Sequence, residues 1–375
     1  MPCSTQATHA TSAPVIILAA GYSSRMGAFK PLLPFGSGTV LEHVVTTLRM
    51  AGVDQIVVVS GYRAEETETE AVRLGVSIVR NPQFADGMST SVRAGIDALP
   101  AMVPGCLLLP VDMPLLRAGT VRRVLDASGG EAELVRPVFQ GQPGHPPFIA
   151  SCLFADILAT PLGHPLDAVL AQRASRTIDV AVFDRYCLED MDDPATYARF
   201  LRQLSRNHLP DEMECKSMLD AAGAGEQVRR HGQVVAEVAG ALVERLRERG
   251  LELDADLVRS AALLHDIAKG HQHHANVGAA LVAGWGFPDV ARVIASHMEL
   301  PANWDIDEKA LVFLADKMVR GGDVVSIQER FSRALIRWRD DPEVLESVYA
   351  RRATAESVLH AVLRRLDAAC MEDVR

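Results

Sequence analysis

The sequence predicts a mostly parallel α/β domain followed by an all-helical one. From Pro14 to about Leu204, short apolar runs alternate with amphipathic stretches. From about Gln227 onward the strand pattern gives way to apolar residues three and four apart. At 375 residues the chain is also longer than one hydrophobic core usually serves.

In chain order, "VIILAA", "QIVVVSG", "SIVRN" and "CLLLPVD" read as strands, and "VLEHVVTTLRMAG", "EETETEAVRLG" and "AGTVRRVLDAS" as the helices between them. Strands alternating with helices imply a parallel sheet covered on both faces, with right-handed crossovers. Residues 205–226 are polar without a sustained period and are expected to be a linker between a domain over 14–204 and one over 227–320. In the second half, "QVVAEVAGALVERLRERG", "ADLVRSAALLHDIAKG", "NVGAALVAGWG", "DVARVIASHMEL" and "EKALVFLADKMVRGG" keep the helical period, and residues 321–375 add an Arg-rich helical extension.

A hydrophobic content of 48% excludes general disorder. The net charge of -10 argues against nucleic acid as a partner, since an acidic chain gains little from counterion release. Six cysteines (Cys3, Cys106, Cys152, Cys187, Cys215, Cys370) lie scattered without a CxxC pair, so reduced thiols and a cytoplasmic setting are expected. Residues 2–13 lack a basic leader, and the apolar run after them is too short for a signal segment or membrane span.

After the first strand, "AAGYSSRMGAFK" supplies small residues and hydroxyls where the chain must bend and turn backbone N–H groups toward an anion. Arg25 and Lys30 add two cations, and Lys30 is suited to neutralise charge between an α-phosphate and leaving pyrophosphate. The spacing is neither GxxxxGK[ST] nor GxGxxG. Asp112 ends an apolar strand, where open α/β sheets bind ligands, and a carboxylate there suits Mg2+.

Residues 14 to about 203 resemble the molybdenum cofactor cytidylyltransferases, relatives of the guanylyltransferases that build the dinucleotide form of that cofactor. The motifs are "LAAGYSSRMGAFKPLLP", "NPQFADGMSTSVRAG", "LLLPVDMP", "GQPGHPPFI" and "DMDDP". The resemblance implies a Rossmann-like nucleotidyltransferase, with Leu18, Ala19, Ala20, Gly21, Ser23, Ser24 and Arg25 lining the nucleotide and Lys30 on its phosphates. Asp112 would hold Mg2+, with Asp192 or Asp190 as second carboxylate. Ser89, Ser91 and Arg93 would flank base and ribose, and Gly144 and His145 would face the acceptor. Ala20 stands where CTP users carry LAAG and GTP users LAGG. The implied partners are CTP and a phosphorylated acceptor, molybdopterin, with a molybdoenzyme receiving the product. One stretch departs: where such enzymes carry GDxGxR, "GHPLDAVL" places His164 and Ala168, which leaves the acceptor open to a sugar or polyol phosphate.

Six of twelve histidines fall between His231 and His297. His231, the His265-Asp266 pair and Asp316 can converge on one metal, and His274 and His297 on a second bridged by Asp266. Imidazole with carboxylate suits two divalent ions such as Fe, Mn, Ni, Co or Zn better than Ca. Such a pair polarises phosphate and activates a bridging water. Lys269, one turn past the pair, is placed to stabilise phosphate charge, while His271 and His273 are expected to be bystanders. The stretches "LLHDIAKG", "HHANVGAALVAGWGFPDVARVIASHME" and "LADKMV" resemble the HD-domain phosphohydrolases. Together the two resemblances imply a bifunctional enzyme, the competing reading being a nucleotide-sensing regulator.

Overall fold

The computed structural model describes residues 13–367; Cys3, Cys370 and residues 2–12 of the N-terminal stretch lie outside the described residues. The chain divides into two compact units, 1–207 and 208–375.

The first unit runs β1 (Val15–Leu18), a hairpin of β2 (Pro34–Phe35) and β3 (Gly38–Thr39), α1 (Val40–Met50), β4 (Ile56–Ser60), α2 (Ala64–Leu74), β5 (Ser77–Arg80), α3 (Met88–Asp97), β6 (Gly105–Pro110) and α4 (Ala118–Ala127). It continues with β7 (Leu134–Phe139), β8 (Gln142–Pro143), β9 (Phe148–Ala150), α5 (Phe154–Ala159), α6 (Leu166–Arg173), β10 (Thr177–Ala181) and α7 (Pro194–Gln203). The main sheet has the order β10-β7-β9-β6-β1-β4-β5, with β8 paired to β7. β5, β4, β1 and β6 are parallel, as are β7 and β10, while β9 lies antiparallel between β6 and β7.

The central strands are buried on both faces, which is why they read as continuous apolar runs. α1 starts where the Thr39 hydroxyl accepts from the Glu42 N–H, and Val40, Leu41, Val44, Val45 and Leu48 form its buried stripe. From β1 the chain moves to β4 and β5 on one side, then crosses to β6 on the other. The crevice beyond the carboxyl ends of β1 and β6 is therefore a topological switch point, where such sheets bind ligands.

The second unit contains α8 (Glu212–Ala221), α9 (Glu226–Arg247), α10 (Ala255–Leu264), α11 (His274–Gly284), α12 (Pro288–Ala295), α13 (Glu308–Lys317), a short hairpin of β11 (Val319–Arg320) and β12 (Asp323–Val324), α14 (Ile327–Arg337) and α15 (Pro342–Asp367). Part of the stretch expected as a linker is thus helical. A reciprocal capping box between Asp211 and Glu214 opens α8, and Cys215, Met218 and Leu219 are buried. Its polar composition hid three apolar anchors on one face. Among the described residues, no helix is long and apolar enough to cross a membrane.

Candidate functional site

The loop after β1 is held at both ends. Ala19 N–H donates to the Val59 carbonyl (3.0 Å), and Ser23 Oγ accepts from the Lys30 N–H (3.1 Å). Ser23 sits at φ +56, a left-handed conformation uncommon for non-glycine residues. The turn carries the Lys30 side chain inward, where it is buried. Its ammonium donates to Asp112 Oδ2 (2.8 Å) and Asp192 Oδ1 (2.6 Å), while Arg25 pairs with Asp192 Oδ2 (2.6 Å).

Met191 N–H donates to the Asp112 carbonyl (2.8 Å), which ties "DMDDP" to the end of β6. Burial lowers the tendency of Lys30 to hold its proton, but the Asp112 and Asp192 carboxylates outweigh that and raise its pKa. The two carboxylates already share one cation, the Lys30 ammonium, so their geometry suits a shared cation. Asp190, beside them, is pushed above the usual carboxylate range by burial and by Asp192 and Asp112.

Arg25 and the three carboxylates border a cavity of about 780 Å3. Leu18, Arg25, Ser89, Arg93, Asp112, Gly144, His145, Asp190 and Asp192 line it. Ala19 and Ala20 are buried, and Gly21 and Ser24 are exposed. Ser91 is buried and accepts from Asn81 Nδ2 (3.0 Å), as does Thr90 Oγ1 (2.8 Å), so the structure places Ser91 in the support of α3. Ser89 Oγ and His145 Nδ1 are buried without a hydrogen-bond partner. Burial lowers the His145 pKa.

Gly144 has a steric reason: a Cβ there would lie 2.3 Å from the Cys187 carbonyl oxygen, which also accepts from His145 N–H (2.8 Å). Residues of the segment from Ile157 to Val169 also line the cavity, among them His164 and Asp167 of the stretch that departs from the family pattern.

In the second unit the six ligand candidates converge. His231 prolongs the buried stripe of α9 through Val235, Ala239, Val243 and Leu246. Gly232 allows α10 to approach, since a Cβ there would lie 2.9 Å from the Leu263 carbonyl oxygen. His265 and Asp266 follow the end of α10, His274 opens α11, His297 follows α12, and Asp316 lies near the end of α13. His265 Nδ1 donates to the Ala262 carbonyl (2.7 Å) and His297 Nδ1 to that of Ile294 (2.7 Å). Their Nε2 lone pairs therefore face the site, the orientation that metal-ligating imidazoles take.

The ligand atoms fall into two groups that could each hold an ion, His231/His265/Asp316 and Asp266/His274/His297. Asp266 faces both: Oδ1 lies 3.2 Å from His274 Nε2, and Oδ2 lies 3.6 Å from His265 Nε2. His265 Nε2 is buried without a hydrogen-bond partner, which fits a metal donor and not a solvated imidazole. Burial opposes ionisation of Asp266, but hydrogen bonding from His274 and the charge of Lys269 act against it, and the carboxyl is held well below its usual range. Lys269 Nζ pairs with Asp266 Oδ2 (2.8 Å) and is half-exposed. Lys317, unassigned from the sequence, is buried against Asp316 Oδ2 (2.5 Å).

The family model described as the MobA-like NTP transferase domain matches residues 15–178, and the HD domain model matches residues 229–321. The chain is 36% identical over 144 residues to the molybdenum cofactor cytidylyltransferase of Escherichia coli strain K12, covering 38% of this chain and 72% of that protein. It is 37% identical over 131 residues to the bifunctional IPC transferase and DIPP synthase of Rubrobacter xylanophilus, covering 33% of this chain and 29% of that protein. Rv0371c from Mycobacterium tuberculosis H37Rv, a solved structure, is 25% identical with a TM-score of 0.42, covering 51% of this chain and 99% of that one. The chain belongs, through its N-terminal unit, to the MobA-like NTP transferase family of enzymes and carries an HD domain in its C-terminal unit.

Proposed function

We propose that residues 14–204 transfer CMP from CTP to a phosphorylated acceptor, molybdopterin, and that residues 227–320 hydrolyse a phosphate ester or nucleotide, both in the cytoplasm. The first reading is carried by Lys30 and Arg25 meeting Asp112 and Asp192, two carboxylates that line a cavity at the sheet's switch point. An acceptor phosphate oxygen forms a bond to the α-phosphorus of CTP, the bond to the β-phosphate oxygen breaks, and pyrophosphate leaves with the electron pair. Mg2+ would neutralise phosphate charge from Asp112 and Asp192. Lys30 and Arg25 stabilise charge on the leaving group, and the cavity orients the acceptor for in-line attack. The name of the Escherichia coli relative and Ala20 in the first motif support CTP and molybdopterin.

In the HD domain, two divalent ions would polarise a phosphate ester and supply a metal-activated water. Asp266 faces both donor groups, His265 and His297 present fixed lone pairs, and Lys269, paired with Asp266 and half-exposed, would meet the phosphate.

A second reading keeps the transferase but changes the acceptor to a sugar or polyol phosphate. It is favoured by His164 and Asp167, which line the cavity in the stretch that departs from the family pattern. Pyrophosphate release tests both. CTP is expected to turn over faster than GTP, and with molybdopterin rather than sugar or polyol phosphates. Equal or preferred use of GTP would overturn the cytidylyl assignment, and turnover with a sugar phosphate alone would select the second reading.

A further inference from the structure

Lys317 is among the most buried cations of the described chain, at 4% exposure, and lies beside a candidate metal ligand. Its ammonium has two hydrogen-bond partners and one aromatic neighbour. It donates to Asp316 Oδ2 (2.5 Å) and to the His297 carbonyl (3.0 Å), and it lies 5.0 Å from the centre of the Phe313 ring. Buried and doubly hydrogen-bonded, the ammonium is held inside the fold and away from solvent.

The two polar partners belong to different halves of the centre. Asp316 stands with His231 and His265, whereas His297 stands with Asp266 and His274. Lys317 holds the carboxylate of the first group through its outer oxygen and the backbone of the second through a carbonyl. The remaining oxygen, Asp316 Oδ1, faces His231 Nε2 (3.0 Å) and His265 Nε2 (3.6 Å). Because Oδ2 is committed to the ammonium, Asp316 offers its group one donor atom. The His297 carbonyl, fixed at the end of α12, sets where that imidazole stands relative to Asp316.

We propose that Lys317 is a positioning residue that ties the two halves of the HD centre together, confining Asp316 to single-oxygen ligation and setting the spacing of the two ions. This inference rests on the two-ion reading of the HD domain. A surface lysine could not do this, because water would compete for both acceptors. Burial makes each hydrogen bond to a charged group strong and its loss costly.

The experiment loads the full chain with Mn2+ and records its electron paramagnetic resonance spectrum, since ions only a few ångströms apart couple and give a multiline signal. An ion bound by the N-terminal unit contributes no such coupling. The parent is expected to give the coupled signal. Lys317→Met, with helix content unchanged, is expected to lose it and to bind the second ion at least about tenfold more weakly, the loss typical when a supporting partner of a metal ligand is removed. Lys317→Arg, which keeps charge and donors, is expected to retain part of the coupling.

A Lys317→Met protein that keeps the coupled signal and the parent's affinity for both ions overturns the proposal. If that variant does not fold, Lys317→Gln replaces it, and retained coupling there overturns the charged tie in the same way. A parent with no coupled pair overturns the two-ion reading itself, a result separate from the failure of Lys317 alone.

Discussion

Lys30→Met removes a cation from between two carboxylates and keeps the length of the side chain. In the parent, the ammonium satisfies Asp112 Oδ2 and Asp192 Oδ1 while the two acids are about one-fifth exposed, at 20% and 21%. Breaking a fully buried ion pair costs about 3–5 kcal/mol. Here water reaches both acids and Arg25 still holds Asp192, so a loss of about 2–3 kcal/mol is expected. For a unit of this size that lowers the calorimetric midpoint of the N-terminal transition by roughly 5–10 °C.

Pyrophosphate release should fall by about 10²–10³, the loss typical for one donor aimed at developing charge. Stability and rate then separate in the double variant. Adding Asp112→Asn removes one uncompensated carboxylate and should restore part of the midpoint, with a coupling of roughly 0.5–3 kcal/mol, while restoring none of the rate. A Lys30→Met enzyme with the parent's rate would refute the assignment of Lys30 to the phosphates. A midpoint equal to the parent's would show that the Lys30 bridge contributes nothing to the fold.

Elemental analysis of the full chain should find close to two transition-metal ions more in the parent than in Asp266→Ala, since that carboxylate faces both donor groups; equal metal content would refute the bridging role. Replacing His274 or His297 with Ala should remove chiefly one ion and most of the phosphohydrolase rate, and full metal with full activity in both would make those histidines structural. The pKa of His43 is lowered by burial from its ordinary value of 6.5, beside the Phe35 ring at 5.1 Å. The unfolded chain therefore takes up that proton first as pH falls. The stability that neutral His43 contributes is complete above pH 6.5 and is lost as pH drops toward the lowered folded value. Melting of the N-terminal unit should fall over that acid range, and His43→Phe should flatten the fall; an unchanged pH profile would show that His43 does not drive it.

The six candidate HD ligands were legible in the sequence because ion chemistry restricts residue type, and the structure brings His231, His265, Asp266, His274, His297 and Asp316 into two groups that could each hold an ion. The parallel core was legible for a related reason: strands buried on both faces must be apolar throughout, as in β1 and β4. The first motif showed its cations, since Arg25 and Lys30 lie within one short loop.

Tertiary structure alone decided the rest. β9 has three residues and no alternation, and only its neighbours β6 and β7 make it an antiparallel strand. Ser91, expected beside the nucleotide, is buried and accepts from Asn81, ten residues earlier in the chain. The contacts that the Lys317 ammonium makes with Asp316 and with the His297 carbonyl depend on where α12 and α13 meet. Residue type sets which chemistry a side chain can perform, but a carboxylate oxygen has no assigned partner until long-range packing aims it.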